Sequence, residues 1–343
     1  MLVKKTFKFK IINPTKTKLK ILEQEYEKLN LFLKTGIDLG VYSANKQQAL
    51  RFYKKVIQEK EYPLSIRKDL LKFSDKGTFV RIPVKDRKGG IWLPIKAYQP
   101  ISNFEICESK ILRKGNIFFI HITAQKKIEP ERTYSSILAI DLGEKVIATT
   151  VLSSMQRPKF YGTEIRGIRR HYAWLRKRLG KKKLLKKINT MGDKEKRTVN
   201  DILHKISKEI VEHAKKNNSI IVLGNLKGIR KNSKGKRFNR IVNSMPFHKL
   251  TRYVVYKANW EGIKVVKVDE KGTSHTCSKC GAIGKRSVQG LFKCQCGYQV
   301  NADFNGAKNI LNRSREYISR DGAVVNQPLT MVSSIETVQF KEQ

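Results

Sequence analysis

The chain has 343 residues, of which 72 are lysine or arginine and 29 are aspartate or glutamate, giving a formal net charge of +43 at pH 7. Five cysteines are too few for a disulfide scaffold, and no apolar run is long enough for a membrane span. The start, MLVKKTFKFK, lacks the apolar core of a signal peptide, which predicts an intracellular, cytoplasmic protein. So large a positive charge predicts a polyanionic partner, and nucleic acid fits.

The first part of the chain predicts a β unit that carries a helical insertion. Residues 2–12 alternate between apolar and polar side chains as a strand does, and residues from about 14 to 75 have helical spacing. From Gly77 onward, short strand-like segments are separated by Lys-Gly and Gly-Gly turns, which is typical of a small barrel. We therefore predict a β-barrel domain over residues 1–126 and a polar linker over residues 127–135.

The second part, residues 136–313, predicts an α/β domain. Its strands and helices alternate in an order that is compatible with an RNase H-like sheet. The predicted elements are the strand ILAIDLG with its hairpin partner KVIATTVLSS, helices over 164–188 and 196–217, a strand over 219–224, a helix over about 246–261, a strand over 263–270 and a helix over about 303–312. Residues 314–343 lack a clear periodicity and predict a flexible tail.

Four cysteines in turn-rich sequence predict a zinc ribbon inserted over about residues 274–299. They are Cys277, Cys280, Cys294 and Cys296. A glycine follows each pair, Gly281 and Gly297, and permits a tight turn around a metal. Four protein thiolates leave no open position on zinc, so the predicted Zn²⁺ is structural. A reduced core pair and a redox dithiol are the alternatives.

Two aspartates stand where apolar segments end. Asp141 follows the strand ILAI, and Asp303 begins the helix in NADFNGAKNI. Carboxylates repel a phosphate backbone unless a cation intervenes, and Mg²⁺ binds through carboxylates together with substrate phosphates. Two such ions activate water and stabilise the leaving oxygen of a phosphodiester. The structural alternatives are a turn-capping aspartate at 141 and a helix N-cap at 303.

Basic residues are densest in two segments. Over residues 165–188 apolar side chains recur at helical spacing, which predicts one packed face and one face on phosphates, and LKGIRKNSKGKRFNR predicts a basic loop. A solvated charged face is the alternative. The predicted nucleic-acid contacts are Arg169, Arg170, Arg176, Lys177, Lys181, Lys227, Arg230, Lys231, Lys236 and Arg237.

Five segments in sequence order carry a family resemblance: AIDLGEKVIAT, NDILHKIS, IIVLGNLKGIR, VYKANWEGIKVVKVDEKGTSHTCSKCG and NADFNGAKNI. Together with the cysteine pairs they resemble the RuvC-type nuclease domain of TnpB (OrfB) proteins, which are similar to Fanzor proteins and type V CRISPR effectors. The resemblance implies a wedge barrel with a helical recognition insertion in the first part. It also implies an RNA-guided DNA endonuclease, one or two copies of which bind a guide RNA from the transposon end and double-stranded target DNA with a short adjacent motif.

One position departs from the family pattern. The family's middle strand usually ends in glutamate, whereas this chain has Gly224 there. A later strand ends in Asp269-Glu270, and strand alternation places these two acids on opposite faces without choosing between them. Some relatives resemble this arrangement, which favours Glu270 over a salt-bridged strand end. Asp141, Glu270 and Asp303 are thereby implied as catalytic residues that hold Mg²⁺ or Mn²⁺.

Gly224 also motivates an alternative function, a nuclease-dead, RNA-guided DNA-binding repressor of the same family. A transposase that joins DNA strands itself is a third hypothesis, but nothing in the sequence requires it.

Overall fold

The structure is a computed structural model that divides into two compact units, one up to Ile128 and one from Glu129. It describes residues 2–98, 101, 104–129, 133–155, 157–226, 235, 239, 245–288, 290–320 and 324–325. Within that part of the chain, every helix is too short or too polar to cross a membrane.

The first unit combines two antiparallel sheets with two helices. In chain order its elements are β1 (Leu2–Lys10), α1 (Lys16–Thr35), α2 (Ser43–Phe52), β2 (Leu64–Arg67), β3 (Lys72–Phe73), β4 (Phe79–Val84), β5 (Arg87–Pro94), β6 (Glu105–Lys114) and β7 (Ile117–Lys127). One sheet has the order β1-β7-β6-β2 and the other β3-β4-β5, and a bridge between Ile11 and Ile95 joins their edges.

The prediction of helix through residue 75 is wrong for its last part. Residues 64–67 and 72–73 form β2 and β3. Leu64 and Ile66 are fully buried and pair with Ile111 and Ser109 of β6. The apolar side chains from Leu64 to Leu71 fit either periodicity, so the pairing with a strand distant in sequence decides the local structure.

The second unit contains a mixed five-stranded sheet covered by helices. In chain order its elements are β8 (Thr133–Tyr134), β9 (Ser136–Asp141), β10 (Ala148–Leu152), β11 (Pro158–Tyr161), α3 (Glu164–Lys181), α4 (Leu185–Met191), α5 (Lys194–Lys216), β12 (Ser219–Asn225), α6 (Phe247–Trp260), β13 (Val265–Asp269), β14 (Lys285–Val288), β15 (Leu291–Lys293), β16 (Gln299–Asn301), α7 (Ala302–Arg320) and β17 (Val324–Val325). The sheet order is β11-β10-β9-β12-β13, with β9, β12 and β13 parallel. The predicted α/β class is confirmed.

Each face of this sheet is buried in a separate core. On β9, Leu138 and Ile140 pack with residues of α5 and α6, whereas Ile137 and Ala139 pack with residues of α7. Successive side chains of a strand point to opposite faces, so a continuous apolar run of this kind is needed when both faces are covered. Alternate residues along a strand of this sheet therefore pack against different helices. Below, residues an even number of positions apart on one strand are said to have the same parity.

The flexible tail predicted from residue 314 is wrong at its start. α7 continues to Arg320, and the short β17 pairs in parallel with β8. Ser314 and Ile318 are buried and extend the helical face formed by Ile310 and Leu311. Burial against the sheet therefore prolongs the helix beyond the predicted end at about residue 312. The predicted tail over residues 326–343 lies outside the described residues.

Candidate active site and cysteine centre

The three predicted acids belong to the face of the sheet that α7 covers. Asp141 has the parity of Ala139, and Glu270 has that of Val268, and both apolar residues pack in the core beneath α7. Asp303 lies in the first turn of α7 itself. Strand alternation alone does not decide whether Asp269 or Glu270 is the third acid of the site. Adding the position of the helix assigns Glu270 to the side of the other two acids.

The carboxyl group of Glu270 occupies the space beside Gly224. A Cβ atom built on Gly224 would collide with Oε1, Cδ and Cγ of Glu270. Gly224 pairs with Val268 on the neighbouring parallel strand, two residues before Glu270. The side chain from β13 thus fills the volume that a side chain at the end of β12 would need, which is the position where the family pattern has its glutamate.

Glycine also makes room for Asp141, and a second glycine makes room for the loop after β9. A Cβ atom on Gly306 would lie 2.6 Å from Oδ2 of Asp141, closer than real Cβ atoms approach. A Cβ atom on Gly143 would lie 3.7 Å from Oδ1 of Asp303 and 2.8 Å from the carbonyl oxygen of Val146. Close approach of α7 to the end of β9 therefore depends on glycine at 306, and the loop after β9 depends on glycine at 143.

Burial and mutual repulsion weaken the acidity of the site. Burial raises the pKa of Glu270 to about 8, and the negative charges of Asp141 and Asp269 add to the shift. Burial also raises the pKa of Asp141 to about 7, with a further contribution from Asp303 and an opposing one from Arg286. Groups that repel one another in this way are suited to sharing a cation.

Nearby hydrogen-bond donors and cations only partly compensate the negative charges of the three acids. Oε1 of Glu270 is buried and has no hydrogen-bond partner in the part of the chain that the structure describes. Burial raises the pKa of Asp303, and the cations Arg286 and Lys145 oppose this shift. Neither cation is predicted from the sequence, because they reach the site from the zinc-ribbon region and from the loop after β9, where no motif distinguishes them.

The structural alternatives for Asp303 and Glu270 are not supported, whereas a backbone hydrogen bond from Leu142 to Asp141 agrees with the turn-capping alternative there. Oδ1 of Asn301 accepts hydrogen bonds from the backbone amides of Asp303 and Phe304, at 2.9 and 3.2 Å, so Asn301 caps α7 and the Asp303 carboxylate does not. Glu270 forms no ion pair within the described residues, which is contrary to a salt-bridged strand end. Both carboxylates therefore remain available to a ligand.

Helix α7 also holds the segment that follows Glu270. Arg313 donates hydrogen bonds to the carbonyl oxygens of Asp269 and Lys271, at 3.0 and 2.7 Å, on either side of Glu270. The buried Asn309 donates to the carbonyl oxygens of Thr273 and Thr276, at 2.8 and 2.7 Å. One helix thus carries Asp303 and anchors the backbone of Glu270.

Replacing Asn309 with alanine is expected to destabilise the chain by about 1–3 kcal/mol, because the buried carbonyl of Thr273 loses its donor. Urea unfolding of the purified chain measures this change. Asn312→Ala is the matched control, since Asn312 is exposed and makes a single bond of 3.2 Å to the carbonyl oxygen of Ser278. Equal stability of the two variants would contradict the anchoring role.

The four predicted zinc ligands are close together. Their sulfur atoms all lie within 4.8 Å of one another, with 3.9 Å between Cys277 and Cys296 and 3.5 Å between Cys280 and Cys294. Gly281 and Gly297 have φ of 77° and 79°, the left-handed conformation that each tight turn requires. Four converging thiols are the donor set of a structural zinc site.

The three acids are half-buried, whereas Cys280 and Cys296 of the cysteine site are exposed. Among the described residues, the four cysteines form a group of potential ligands whose donor atoms all lie within 4.8 Å of one another. Asp141 interacts electrostatically with both other acids: its charge raises the pKa of Glu270, and the charge of Asp303 raises the pKa of Asp141.

The predicted nucleic-acid contacts divide into two groups. Arg169, Arg170, Arg176, Lys177 and Lys181 all lie on α3, where Ile165 is the buried residue. The predicted contacts of the basic loop lie outside the described residues; they are Lys227, Arg230, Lys231, Lys236 and Arg237.

Comparison with known proteins places this geometry in a family. A family model, Cas12f1-like TNB domain, matches residues 247–310. TnpB-like protein MJ0751 of Methanocaldococcus jannaschii is 31% identical over 227 residues, which cover 62% of this chain and 80% of that protein. The chain belongs to the TnpB-like family. Glu270, Asp303 and the four cysteines of this TnpB-like chain all lie within the residues that the family model matches.

Two further similarities concern larger relatives of TnpB-like proteins. CRISPR-associated endodeoxyribonuclease Cas12f1 of Sulfoacidibacillus thermotolerans is 32% identical over 234 residues, which cover 60% of this chain and 53% of that protein. The chain thus spans about half the length of this Cas12f1 relative. A cryo-EM structure of a Cas12f1–sgRNA–target DNA complex aligns with 91% of this chain at a TM-score of 0.45 and 18% identity.

Proposed function

We propose that this TnpB-like chain is an RNA-guided DNA endonuclease whose second unit is a RuvC-type, RNase H-like nuclease domain. The observation that carries the proposal is the Glu270 carboxyl group in the space beside Gly224. DNA as the substrate class is supported by the endodeoxyribonuclease relative. Guidance by RNA is supported by the putative RNA-guided DNA endonuclease InsQ of Escherichia coli, which is 27% identical over 223 residues. The net charge of +43 fits a chain that binds a guide RNA and target DNA.

Asp141, Glu270 and Asp303 are proposed to hold divalent Mg²⁺ or Mn²⁺. Their donor set fits, because carboxylates are the ligands that Mg²⁺ prefers and Oε1 of Glu270 has no hydrogen-bond partner among the described residues. The chemistry that a bound divalent ion supplies at such a site is water activation and neutralisation of charge on phosphodiester oxygens. The protein holds the acids on rigid elements, two at strand ends and one on α7, and keeps their carboxylates partly buried.

The four cysteines are proposed to hold a structural Zn²⁺, and the first unit is proposed to serve as the wedge barrel and recognition helices of the family. The ribbon lies in sequence between Glu270 and Asp303. A rigid ribbon therefore limits how far these two acids move apart. Its role is in positioning, since four protein thiolates leave no site for substrate on the metal.

The alternative of a nuclease-dead repressor rests on the missing glutamate at 224. An acid from the adjacent strand in that same space supports the endonuclease instead, because metal binding depends on where a carboxylate lies and not on which strand supplies it. A Glu270 side chain on the opposite face of the sheet, where the exposed Asp269 lies, would favour the repressor.

Plasmid cleavage tests the proposed function. The chain is purified with its co-purifying RNA, which is sequenced, and a plasmid carrying the guide-matched site is incubated with Mg²⁺. We expect cutting by the wild-type chain and by Asp269→Asn, whose side chain is exposed on the other face, but a loss of about a thousandfold with Asp141→Asn. Tight guide-dependent binding without any cutting by the wild-type chain would instead support the repressor.

A further inference from the structure

A cavity of about 420 Å³ lies between α3, α5 and α6 in the second unit. Cations from all three helices line it: Arg169 and Arg176 of α3, Lys196 of α5 and Lys249 of α6. None of the three acids of the candidate active site is part of its lining. It is therefore a separate concave surface that the proposed cleavage chemistry does not use.

Positive charge exceeds negative charge in this cavity. Its two acids are already engaged, Glu195 in an ion pair with Arg176 and Asp193 at 3.9 Å from Lys196. Lys249 has no ion pair within the described residues. The Nε atom of Arg169 is buried and has no hydrogen-bond partner among the residues that the structure describes. Two of the cations thus keep bonding capacity for an anion from outside the chain.

The fold holds these cations together against their mutual repulsion. Burial lowers the pKa of Lys249, and the charges of Lys196, Arg252 and Arg169 lower it further. Burial likewise lowers the pKa of Arg169, with a contribution from Arg176 and an opposing one from Glu195. Like charges gathered from three helices indicate that the charge balance is completed by a bound anion.

Neighbouring sequence adds no compensating acid. Residues 227–244, which lead into α6, contain several lysines and arginines but neither aspartate nor glutamate. The exposed face of α3 continues the basic surface, with Trp174 53% exposed and the guanidinium of Arg178 at 5.3 Å from its ring centroid. Basic residues beside an accessible aromatic ring are typical of surfaces that bind a nucleic-acid strand.

We propose that this cavity binds a phosphodiester group of a nucleic-acid strand. The planar guanidinium group of Arg169 suits the fork geometry of phosphate oxygens, and Lys249 supplies a compact charge. Arg176, which is paired with Glu195, adds to the positive charge around them. This inference rests on the proposed function in so far as it locates one contact with the guide RNA or with the target DNA. The phosphate chemistry is the same for both, and the experiment separates them.

Binding of nucleic acid as a function of salt tests the site. The pocket variant is Lys196→Ala with Lys249→Ala, and the matched control is Lys205→Ala with Lys208→Ala, which removes two exposed lysines from α5. The probes are a short single-stranded RNA and a duplex DNA of the same sequence. For at least one probe, the pocket variant is expected to bind about tenfold more weakly. Its slope of log affinity against log salt is expected to fall by about 0.7 for RNA or about 0.9 for DNA per lost contact.

The outcomes separate this site from the proposed endonuclease function. A smaller slope on RNA alone assigns the site to RNA, and one on DNA alone assigns it to DNA. Equal slopes for the pocket and control variants on both probes would overturn the site, even if the chain cuts DNA. A reduced slope in a chain that cuts nothing would retain the site and contradict the proposed function.

Thermal unfolding without nucleic acid excludes a merely structural role. Because Lys249 is repelled by its neighbours, Lys249→Ala is expected to leave the melting temperature unchanged or higher. Replacing chloride with sulfate at equal ionic strength is expected to raise the melting temperature of the wild-type chain more than that of this variant. A lower melting temperature for Lys249→Ala would identify the lysine as structural and contradict the proposal.

Discussion

Cleavage of guide-matched DNA is expected to fall about a thousandfold when Glu270 is replaced by glutamine. Glutamine keeps the shape of the side chain in the space beside Gly224 but removes the charge that a divalent cation needs. The measurement is the single-turnover rate of cleavage by the complex with its guide RNA, with target binding recorded separately. Target binding is expected to stay at the wild-type level, since the change is confined to a small acid site.

A change at Gly224 itself is expected to lower cleavage about a hundredfold without touching any acid. The Cβ atom of Gly224→Ala would collide with the Glu270 carboxyl group and displace it, and displacement of about 1 Å in a catalytic group has an effect of this size. Gly180→Ala on α3 is the matched control, because a Cβ atom there has no neighbour within 4 Å. Wild-type rates for Gly224→Ala or Glu270→Gln would refute the assignment of Glu270.

Exchanging the residues at 224 and 270 tests whether cleavage depends on where the carboxyl group lies or on which strand supplies it. The double variant Gly224→Glu with Glu270→Gly returns the acid to the end of β12 and clears the space that it needs. Part of the lost cleavage is expected to return, whereas Glu270→Gly alone remains inactive. Failure of the exchange with a correctly folded chain would mean that the site requires the approach from β13.

Loss of zinc from the four cysteines is expected to lower cleavage about a hundredfold. Cys277 is buried among the four sulfurs, and its replacement by serine is expected to release the metal. The ribbon is tied to α7 at Asn305, whose side chain bonds the Ser278 amide at 2.9 Å and the Thr276 carbonyl at 2.8 Å. Without a fixed ribbon, the anchors of Glu270 and Asp303 loosen together.

Zinc content by elemental analysis, the melting temperature and cleavage at saturating Mg²⁺ measure this effect. Cys277→Ser is expected to lower all three, because structural zinc contributes directly to folding. Cys107→Ser is the control, since Cys107 lies on β6 of the first unit and belongs to no such cluster within the described residues. A zinc-free Cys277→Ser chain that cuts at the wild-type rate would contradict the positioning role.

The long apolar segments could be predicted well from the sequence. α5 spans Lys194–Lys216 where residues 196–217 were expected, and β12 spans Ser219–Asn225 where residues 219–224 were expected. In α5, Val199, Leu203 and Ile206 repeat at helical spacing and are buried. The cysteine cluster was equally accessible, because its signal consists of residue types at short, fixed spacing.

Features that depend on contacts between distant segments could not be predicted. Alternation left Asp269 and Glu270 as equal candidates, because the face on which Asp303 lies is a property of the assembled sheet and α7. Leu64 and Ile66 were assigned to a helix, because their pairing with β6 is not visible in the local pattern. The cations Arg286 and Lys145 were missed for the same reason.

The steric conflict between positions 224 and 270 restricts the routes by which such a nuclease arises from an ancestor with its acid on the middle strand. Glutamate at both places requires the Glu270 side chain to leave its present position, since even one methyl group at 224 meets its carboxyl end. An intermediate form with both acids therefore has a rearranged site. A search that inspects only the end of the middle strand would classify every descendant of this kind as inactive.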